Sequence, residues 1–424
     1  MTEPTRGIEE KRVPSILDKM TILPGDRVLW VIVALLFAIS MVVVYSSVGQ
    51  VAFHKNIPTG VFLRKHIITL ASTAGVLLFA YIFSAKWVRI LTIPAYVASL
   101  AATVAAYIFS GDGEAGARWL DLGVFSFQPS EFLKIATVML LAIRLSSFHT
   151  NIGKIRLLPS TFDVRKWNTP RERSIILDEA LPVVLPIALA CAVILPAHTS
   201  SALHLFIISI AMILVAGVKF REVFKIMVIA AVFGIAIMFL FGRGDTVLSR
   251  IKHHTATEEI DYSKKGIDKY KDPFRAKMAV HNGGVFGVGA GRSLMRARLV
   301  HPESDYLFSL VVEEFGMIVA FVIMLLYLWL FFRSMHIFKQ CVWLYAGLLV
   351  VGLAMLIVSQ AFLHISVNLG VIPETGQNLP FLTQGRSGMW SAGLALGLIL
   401  GVSRQIERGK LVPPGTKNDS QEKL

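Results

Sequence analysis

The feature that most constrains this chain is a succession of apolar runs long enough to cross a bilayer. A spanning helix needs about 20 mostly apolar residues, because each residue rises ~1.5 Å and the hydrocarbon core is ~30 Å thick. About ten such runs can be read by eye with a window of that size. They fall at 28–49, 66–84, 88–110, 128–147, 180–197, 199–218, 224–242, 306–332, 341–369 and 380–403. Composition agrees: of 424 residues, 54% are hydrophobic and only 17% charged, well below the charge content of ordinary soluble domains. The expected fold is therefore an all-α integral membrane protein of about ten transmembrane helices. Two runs nearly touch at Pro196, and a pair of short spans fits the length and charge alternation better than one broken segment.

Orientation follows from the short loops, because Lys and Arg resist translocation. Arg6, Lys11, Arg12, Lys19 and Arg27 precede the first run. Lys86 and Arg89, then Arg156, Arg165, Lys166, Arg171 and Arg173, then Lys219 and Arg221, then Arg333 and Lys339 fall on the same side. This reads residues 1–27 as a cytoplasmic N-terminal tail, 28–403 as the membrane domain and 404–424 as a cytoplasmic tail. The first run starts late, is as long as a full span and has no small-residue cleavage site after it, so it is expected to stay as a helix. Cys191 and Cys341 lie in or beside apolar runs and read as packing residues. The net charge of +14 mostly obeys orientation, and no nucleic-acid partner is read from it.

One segment carries charge that orientation does not require. Residues 243–305 fall outside, as a long extracytoplasmic loop between helices 7 and 8, yet hold about twelve Lys or Arg against about eight acids. A basic external loop invites an anionic partner. It also exceeds the ~15 residues beyond which an unstructured connection is uncommon. Its first half, with Glu258, Glu259, Lys264, Lys265, Lys269 and Lys271, reads as a solvated stretch. Its second half runs through His281 and Gly283-Gly284-Val285-Phe286-Gly287-Val288-Gly289-Ala290-Gly291-Arg292-Ser293 to Arg296 and Arg298. Gly287, Gly289 and Gly291 have two uses at this spacing. They can turn successive N–H groups into an anion-binding concavity, or they can let the loop fold back on the bilayer. The strand and helix of a dinucleotide fingerprint are missing around them.

Asp305 follows Pro302 at the start of the eighth span. Its position allows a helix N-cap or a partly hydrated carboxylate at the membrane surface. Glu313 and Glu314 lie ~12 Å deeper, where adjacent acids must face other helices or a wet cavity. A second cluster holds Arg118-Trp119 and Phe127-Gln128-Pro129-Ser130-Glu131-Phe132-Leu133-Lys134. Pro129 suits a first helical turn and Glu131 its positive end. Glu131 and Lys134 can pair on one face, as a structural ion pair or as part of a polar cavity. Arg118 and Trp119 also fit an interfacial anchor. The third cluster, 371–388, has Pro373, Pro380, Gly376, Gly385, Gly388 and Arg386. It reads as irregular backbone buried near membrane depth or as an external turn.

In this order the clusters resemble the SEDS family of bacterial cell-wall polymerases, named for shape, elongation, division and sporulation. The family pattern RW-I-x-LG … FQPSE-x-x-K aligns without gaps from Arg118 to Lys134. The glycine pattern aligns with Gly283 to Ser293, the acid pattern with Leu299 to Gly316, and the last with Pro373 to Gly388. Departures are visible. Val300 and His301 stand where Pro and Glu are usual, Ser304 for Thr and Tyr306 for Phe. Pro196-Ala197-His198-Thr199-Ser200 replaces Pro-Asp-x-Gly-Thr, and Thr383, Arg386 and Gly388 replace Ser, Gly and Ser.

The resemblance implies a glycosyltransferase that polymerises lipid II, the undecaprenyl-pyrophosphate-linked disaccharide-pentapeptide, at the outer face of the bacterial cytoplasmic membrane. It implies Asp305 as the base. Charge on the departing pyrophosphate would be met by Arg292, Arg296 and Arg298, by backbone amides, or by a divalent cation near Asp305. Glu131 and Lys134 would shape the polar end of the cavity, with Arg118, Glu314 and Arg386 in subsidiary roles. The implied partners are a single-span class B penicillin-binding protein transpeptidase and the divisome proteins. The N-terminal extension and the tail after Arg404 suit the division branch of the family, with the elongation branch next. A lipid II flippase would predict internal repeats with midplane sites, and no convincing repeat is found. A non-catalytic divisome scaffold would tolerate loss of the Asp305 carboxylate.

Overall fold

In lipid a helix satisfies its own backbone groups, and the apolar runs fold accordingly. The computed structural model describes residues 23–55, 59–109, 119–121, 126–148, 155–157, 174–240, 272–299 and 302–409. Its helices are α1 (Arg27–Lys55), α2 (Thr59–Ile82), α3 (Ala85–Phe109), α4 (Pro129–Ser147), α5 (Leu181–Ile194), α6 (Thr199–Val215), α7 (Phe220–Leu240), α8 (Asp272–Gly283), α9 (Leu307–Gln340), α10 (Leu344–Asn368) and α11 (Arg386–Glu407). Among the described residues, seven helical segments are long and apolar enough to cross a membrane: those of α1, α2, α3, α5 with its preceding turn, α9, α10 and α11. Helices α4, α6 and α7 fall where the sequence predicts the other spans, and α4 carries Glu131, Lys134 and Arg144 within its length.

Several details differ from the sequence-based expectation. The second span starts at Thr59, well before 66, because Arg64 and Lys65 continue the helix beyond the apolar run. The eighth is extended to Gln340. A π-helical turn, Ile175–Ala180, leads into α5. The all-α expectation meets a small exception in the antiparallel pair β1 (Leu120–Asp121) and β2 (Ser126–Phe127), just before α4. The long loop holds helix α8, whose amphipathic character a hydropathy window does not register. Residues 243–271 lie outside the described residues.

Helices α10 and α11 form the centre of the bundle. In each, 78% of the most apolar window is buried inside the protein, against 22% for the peripheral α3. Small residues explain how α11 comes so close to α2, since close backbone approach replaces hydrophobic driving force between helices in lipid. A Cβ at Gly397 would lie 2.3 Å from the Leu77 carbonyl oxygen. One end of the bundle is closed where α1, α9 and α11 meet. There Asp26 pairs with Arg333 at 2.5 Å and donates its amide to Ser403 Oγ at 2.8 Å. The starts of α4, α9 and α11 and the end of α10 gather at the other end, as alternating helix directions require.

Candidate functional site

The glycine-rich loop after α8 is laid into a break in α9. Gly316, at φ 81° and ψ 173°, interrupts that helix near its start. Val288 N–H donates to the Glu313 carbonyl at 2.8 Å, Gly289 N–H to that of Glu314 at 3.0 Å, and Met317 N–H to that of Gly284 at 3.0 Å. The backbones touch. A Cβ at Gly283 would lie 2.0 Å from Val312 O, and one at Gly287 would lie 2.3 Å from Glu314 O. Of the two uses the sequence allows, close packing is the one seen. The amides of Gly287, Gly289 and Gly291 are donated within the protein, to Gly283 O, Glu314 O and Ser46 Oγ at 2.8, 3.0 and 2.8 Å. They therefore do not form an open anion cradle.

Glu313 and Glu314 fasten the same loop. Buried Glu313 accepts the Ser293 hydroxyl and the amides of Leu294 and Met295, the latter two at 3.1 and 3.4 Å. Glu314 accepts the Ser46 hydroxyl and pairs with Arg296 at 2.6 Å, both side chains being buried. Arg296 also donates to the Ser46 carbonyl at 3.0 Å. Burial pulls the Arg296 guanidinium below its ordinary pKa, against the opposing pull of Glu314. Two of the sequence-selected residues are thus joined to the first helix, whereas Arg292 is exposed and Arg298 half-buried.

Asp305 is half-buried in the turn before α9. It does not occupy the N-cap, which falls one residue later, at Tyr306, where the side chain makes no cap bond. The missing bond comes from another helix. Asn368, the last residue of α10, accepts Ser309 N–H and Ser309 O–H, both at 2.9 Å. Its amide nitrogen donates to the Asp305 carbonyl at 3.0 Å. Tyr306 O–H donates to Glu374 at 3.5 Å, and Gln384 N–H to the Glu303 carbonyl at 3.3 Å. Burial, followed by the charges of Glu374, Asp272 and Asp305, pushes the Tyr306 phenol up from its ordinary value. Among the described residues, no group of three or more His, Cys, Asp or Glu could hold a metal ion.

At the start of α4, Glu131 and Lys134 form the expected i,i+3 pair at 2.8 Å, with both side chains nearly inaccessible. Lys134 also reaches Gln360 on α10 at 3.5 Å. Glu131, Gln360, Pro380, Gly388 and Ser391 line a cavity of about 10 Å³, room for roughly one water. Gln128 N–H donates to Ser387 Oγ at 3.0 Å, tying α4 to α11. Arg386, the first residue of α11, is exposed. Arg118 lies outside the described residues. Asn368 and Ser46 lie outside the aligned motifs and Glu374 inside the third, but no spacing pairs any of them with its partner, which is distant in sequence.

The three clusters thus meet at one end of the bundle, and the whole-chain pattern has known relatives. The model of the FtsW/RodA/SpoVE cell cycle protein family matches residues 26–408. The chain belongs to this family. Among its members, stage V sporulation protein E of Bacillus subtilis is 27% identical over 398 residues, covering 89% of this chain and 97% of that protein. The probable peptidoglycan glycosyltransferase FtsW of Trichlorobacter lovleyi is 29% identical over 399 residues, 92% of this chain and 96% of its own. The fold resembles a chain of a peptidoglycan synthase complex, solved to show how polymerization and crosslinking are coordinated, with a TM-score of 0.65 at 20% identity over 91% of this chain and 99% of that one. It also resembles the rod shape determining protein RodA of Thermus thermophilus, with a TM-score of 0.58 at 21% identity over 91% and 98%. The family's multi-pass membrane architecture is therefore that of this chain.

Proposed function

We propose that the chain is a peptidoglycan glycosyltransferase that polymerises lipid II at the outer face of the bacterial cytoplasmic membrane, with ten spans and both termini cytoplasmic, in septal wall synthesis. The observation that carries this reading is the set of ties between the Asp305 turn and the other motif clusters. Gln384 and Glu374 connect the turn to the segment before α11, and Ser387 connects α11 to Gln128 at the start of α4. Asp305, itself half-buried, therefore lies in a turn tied to the segment before α11 and, through α11, to the start of α4. Relatives named as glycosyltransferases support the activity.

In the proposed reaction, Asp305 takes the proton of the acceptor sugar's 4-hydroxyl as that oxygen attacks the donor's anomeric carbon. The bond from that carbon to the pyrophosphate oxygen breaks, and undecaprenyl pyrophosphate leaves with the electron pair. Arg292 and Arg386 are exposed and Arg298 is half-buried, whereas Arg296 is committed to Glu314, so the first three are the candidates to meet this negative charge. Lys134, paired with Glu131, ties α4 to Gln360 of α10, and Arg118 remains a candidate contact. The likeness to a chain of a complex that couples polymerization to crosslinking supports a crosslinking partner. We infer a class B penicillin-binding protein transpeptidase, together with divisome proteins.

The test uses purified protein with its cognate transpeptidase and labelled lipid II, comparing wild type with Asp305→Asn. Glycan strands from wild type alone support the assignment. Equal glycan from both removes Asp305 as the base, and lipid II transport without glycan points to a flippase. Depletion in cells separates the branches, with filaments expected for division and rounding for elongation.

A further inference from the structure

We propose that Asn368 is a positioning residue that sets the backbone of Asp305, supplying from α10 the cap that α9 lacks. This rests on the reading of Asp305 as the reacting base. Helix α9 begins with Tyr306 at its N-cap, a residue type whose side chain cannot accept from the first-turn amides at short range, and no side-chain cap bond is made. A free first turn would let the preceding residue wander. Asn368 is fully buried and uses its amide in two directions. Its oxygen accepts the Ser309 amide and hydroxyl, each at 2.9 Å, as an N-cap side chain would. Its nitrogen donates to the Asp305 carbonyl at 3.0 Å and to His364 O at 2.9 Å.

Only a side chain with both a donor and an acceptor can hold the helix start and the preceding residue at once. The single Ser309 O–H is shared between Asn368 Oδ1 and, at 3.3 Å, the Asn368 backbone carbonyl, closing a small ring between the two helix ends. The ring couples α10 to the reacting group. Any tilt of α10 relative to α9 would move the Asp305 carbonyl and with it the carboxylate.

The two functions separate by substitution. Asn368→Asp keeps an acceptor for Ser309 and exchanges the amide donor for a carboxyl oxygen, at the cost of burying that carboxyl. Asn368→Ala loses both. Ser309→Ala keeps the Asp305 tether and loses the hydroxyl bonds. Each variant is purified with its transpeptidase partner, and thermal midpoint, kcat and KM for lipid II polymerisation are measured beside Asp305→Asn. We expect Asn368→Asp, whose carboxyl is buried facing the Asp305 and His364 carbonyls, to lower the thermal midpoint, and the protein that remains folded to lose kcat on the order of 10- to 100-fold with KM nearly unchanged, as for a misplaced reacting group. Ser309→Ala should keep its kcat within about threefold while losing part of the cap. A wild-type kcat for Asn368→Asp overturns the proposal, as does a kcat loss in Ser309→Ala equal to that of Asn368→Asp. An active Asp305→Asn refutes the base assignment. An inactive Asp305→Asn beside a fully active Asn368→Asp refutes the positioning role alone.

Discussion

Gly287 and Gly316 lie backbone to backbone where the loop after α8 enters the break in α9. A Cβ on Gly287 would sit 2.3 Å from Glu314 O, and one on Gly316 would sit 2.3 Å from Val285 O. Both residues also hold positive φ, 80° and 81°. The glycines at these two positions, one in the loop and one in the α9 break, are therefore explained by contact and conformation together.

Gly316→Ala and Gly287→Ala should each destabilise the protein by roughly 2–5 kcal/mol, since the cost of forcing a methyl into packed structure adds to that of the positive φ. Gly284→Ala is the control. Gly284 has φ 53° but nothing within 4 Å of an added Cβ, so only the conformational cost of about 1–2 kcal/mol should appear. Thermal midpoints in detergent would read the difference, and equal losses at all three positions would refute the contact argument.

Arg296→Met should destabilise the protein by about 3–5 kcal/mol, because it leaves the Glu314 carboxylate buried without its cation. The double variant Arg296→Met with Glu314→Leu should recover much of that loss, as buried pairs exchanged for apolar residues often do. If the double variant folds but makes no glycan, the pair also has a role toward substrate.

The Glu131–Lys134 pair makes a parallel prediction in the membrane domain. Lys134→Met alone should cost about 3–5 kcal/mol, and adding Glu131→Gln should restore much of it. Polymerisation by the double variant is the informative readout. Activity near wild type would confine the pair to holding α4 against α10, whereas a stable but inactive protein would place it at the substrate.

Tyr306 should make stability fall at alkaline pH. Its folded pKa is raised above the ordinary 10.0, first by burial and then by Glu374, Asp272 and Asp305. Below that ordinary value both states hold the proton and the contribution is complete. Above it the unfolded phenol ionises while the folded one does not, so stability drops by about 1.4 kcal/mol per pH unit until the folded group also ionises. Tyr306→Phe removes this slope. Near neutral pH it should cost only about 0.5–1 kcal/mol, the worth of one long hydrogen bond to Glu374. Denaturation curves between pH 9 and 11, roughly one unit either side of a free phenol, compare the two.

The helices were legible because lipid leaves few choices: the predicted spans 88–110, 128–147 and 199–218 coincide with α3, α4 and α6 to within a few residues. The two short spans about Pro196 are α5 and α6, separated by a turn. Helix α8 was not legible, since twelve residues of mixed polarity give no hydropathy signal and it is fixed by packing against α9. The Glu131–Lys134 pair was legible from its spacing, which a helix converts directly into contact. Asn368 was not. It sits at the end of an apolar run, and its partners lie 59 and 63 positions away.

Taken alone, the sequence determined the solvent, the helical class and the motif clusters, because hydrophobic length and local spacing act within a single segment. The tertiary structure decided the role of each polar group. Arg292 and Arg296 are four residues apart and alike in sequence, yet one is exposed and the other is buried against Glu314 and Ser46. The glycines that could have cradled an anion instead give their amides to α1, α8 and α9. Burial and hydrogen-bond saturation depend on which distant backbone arrives at a site, and that is settled only when the helices pack.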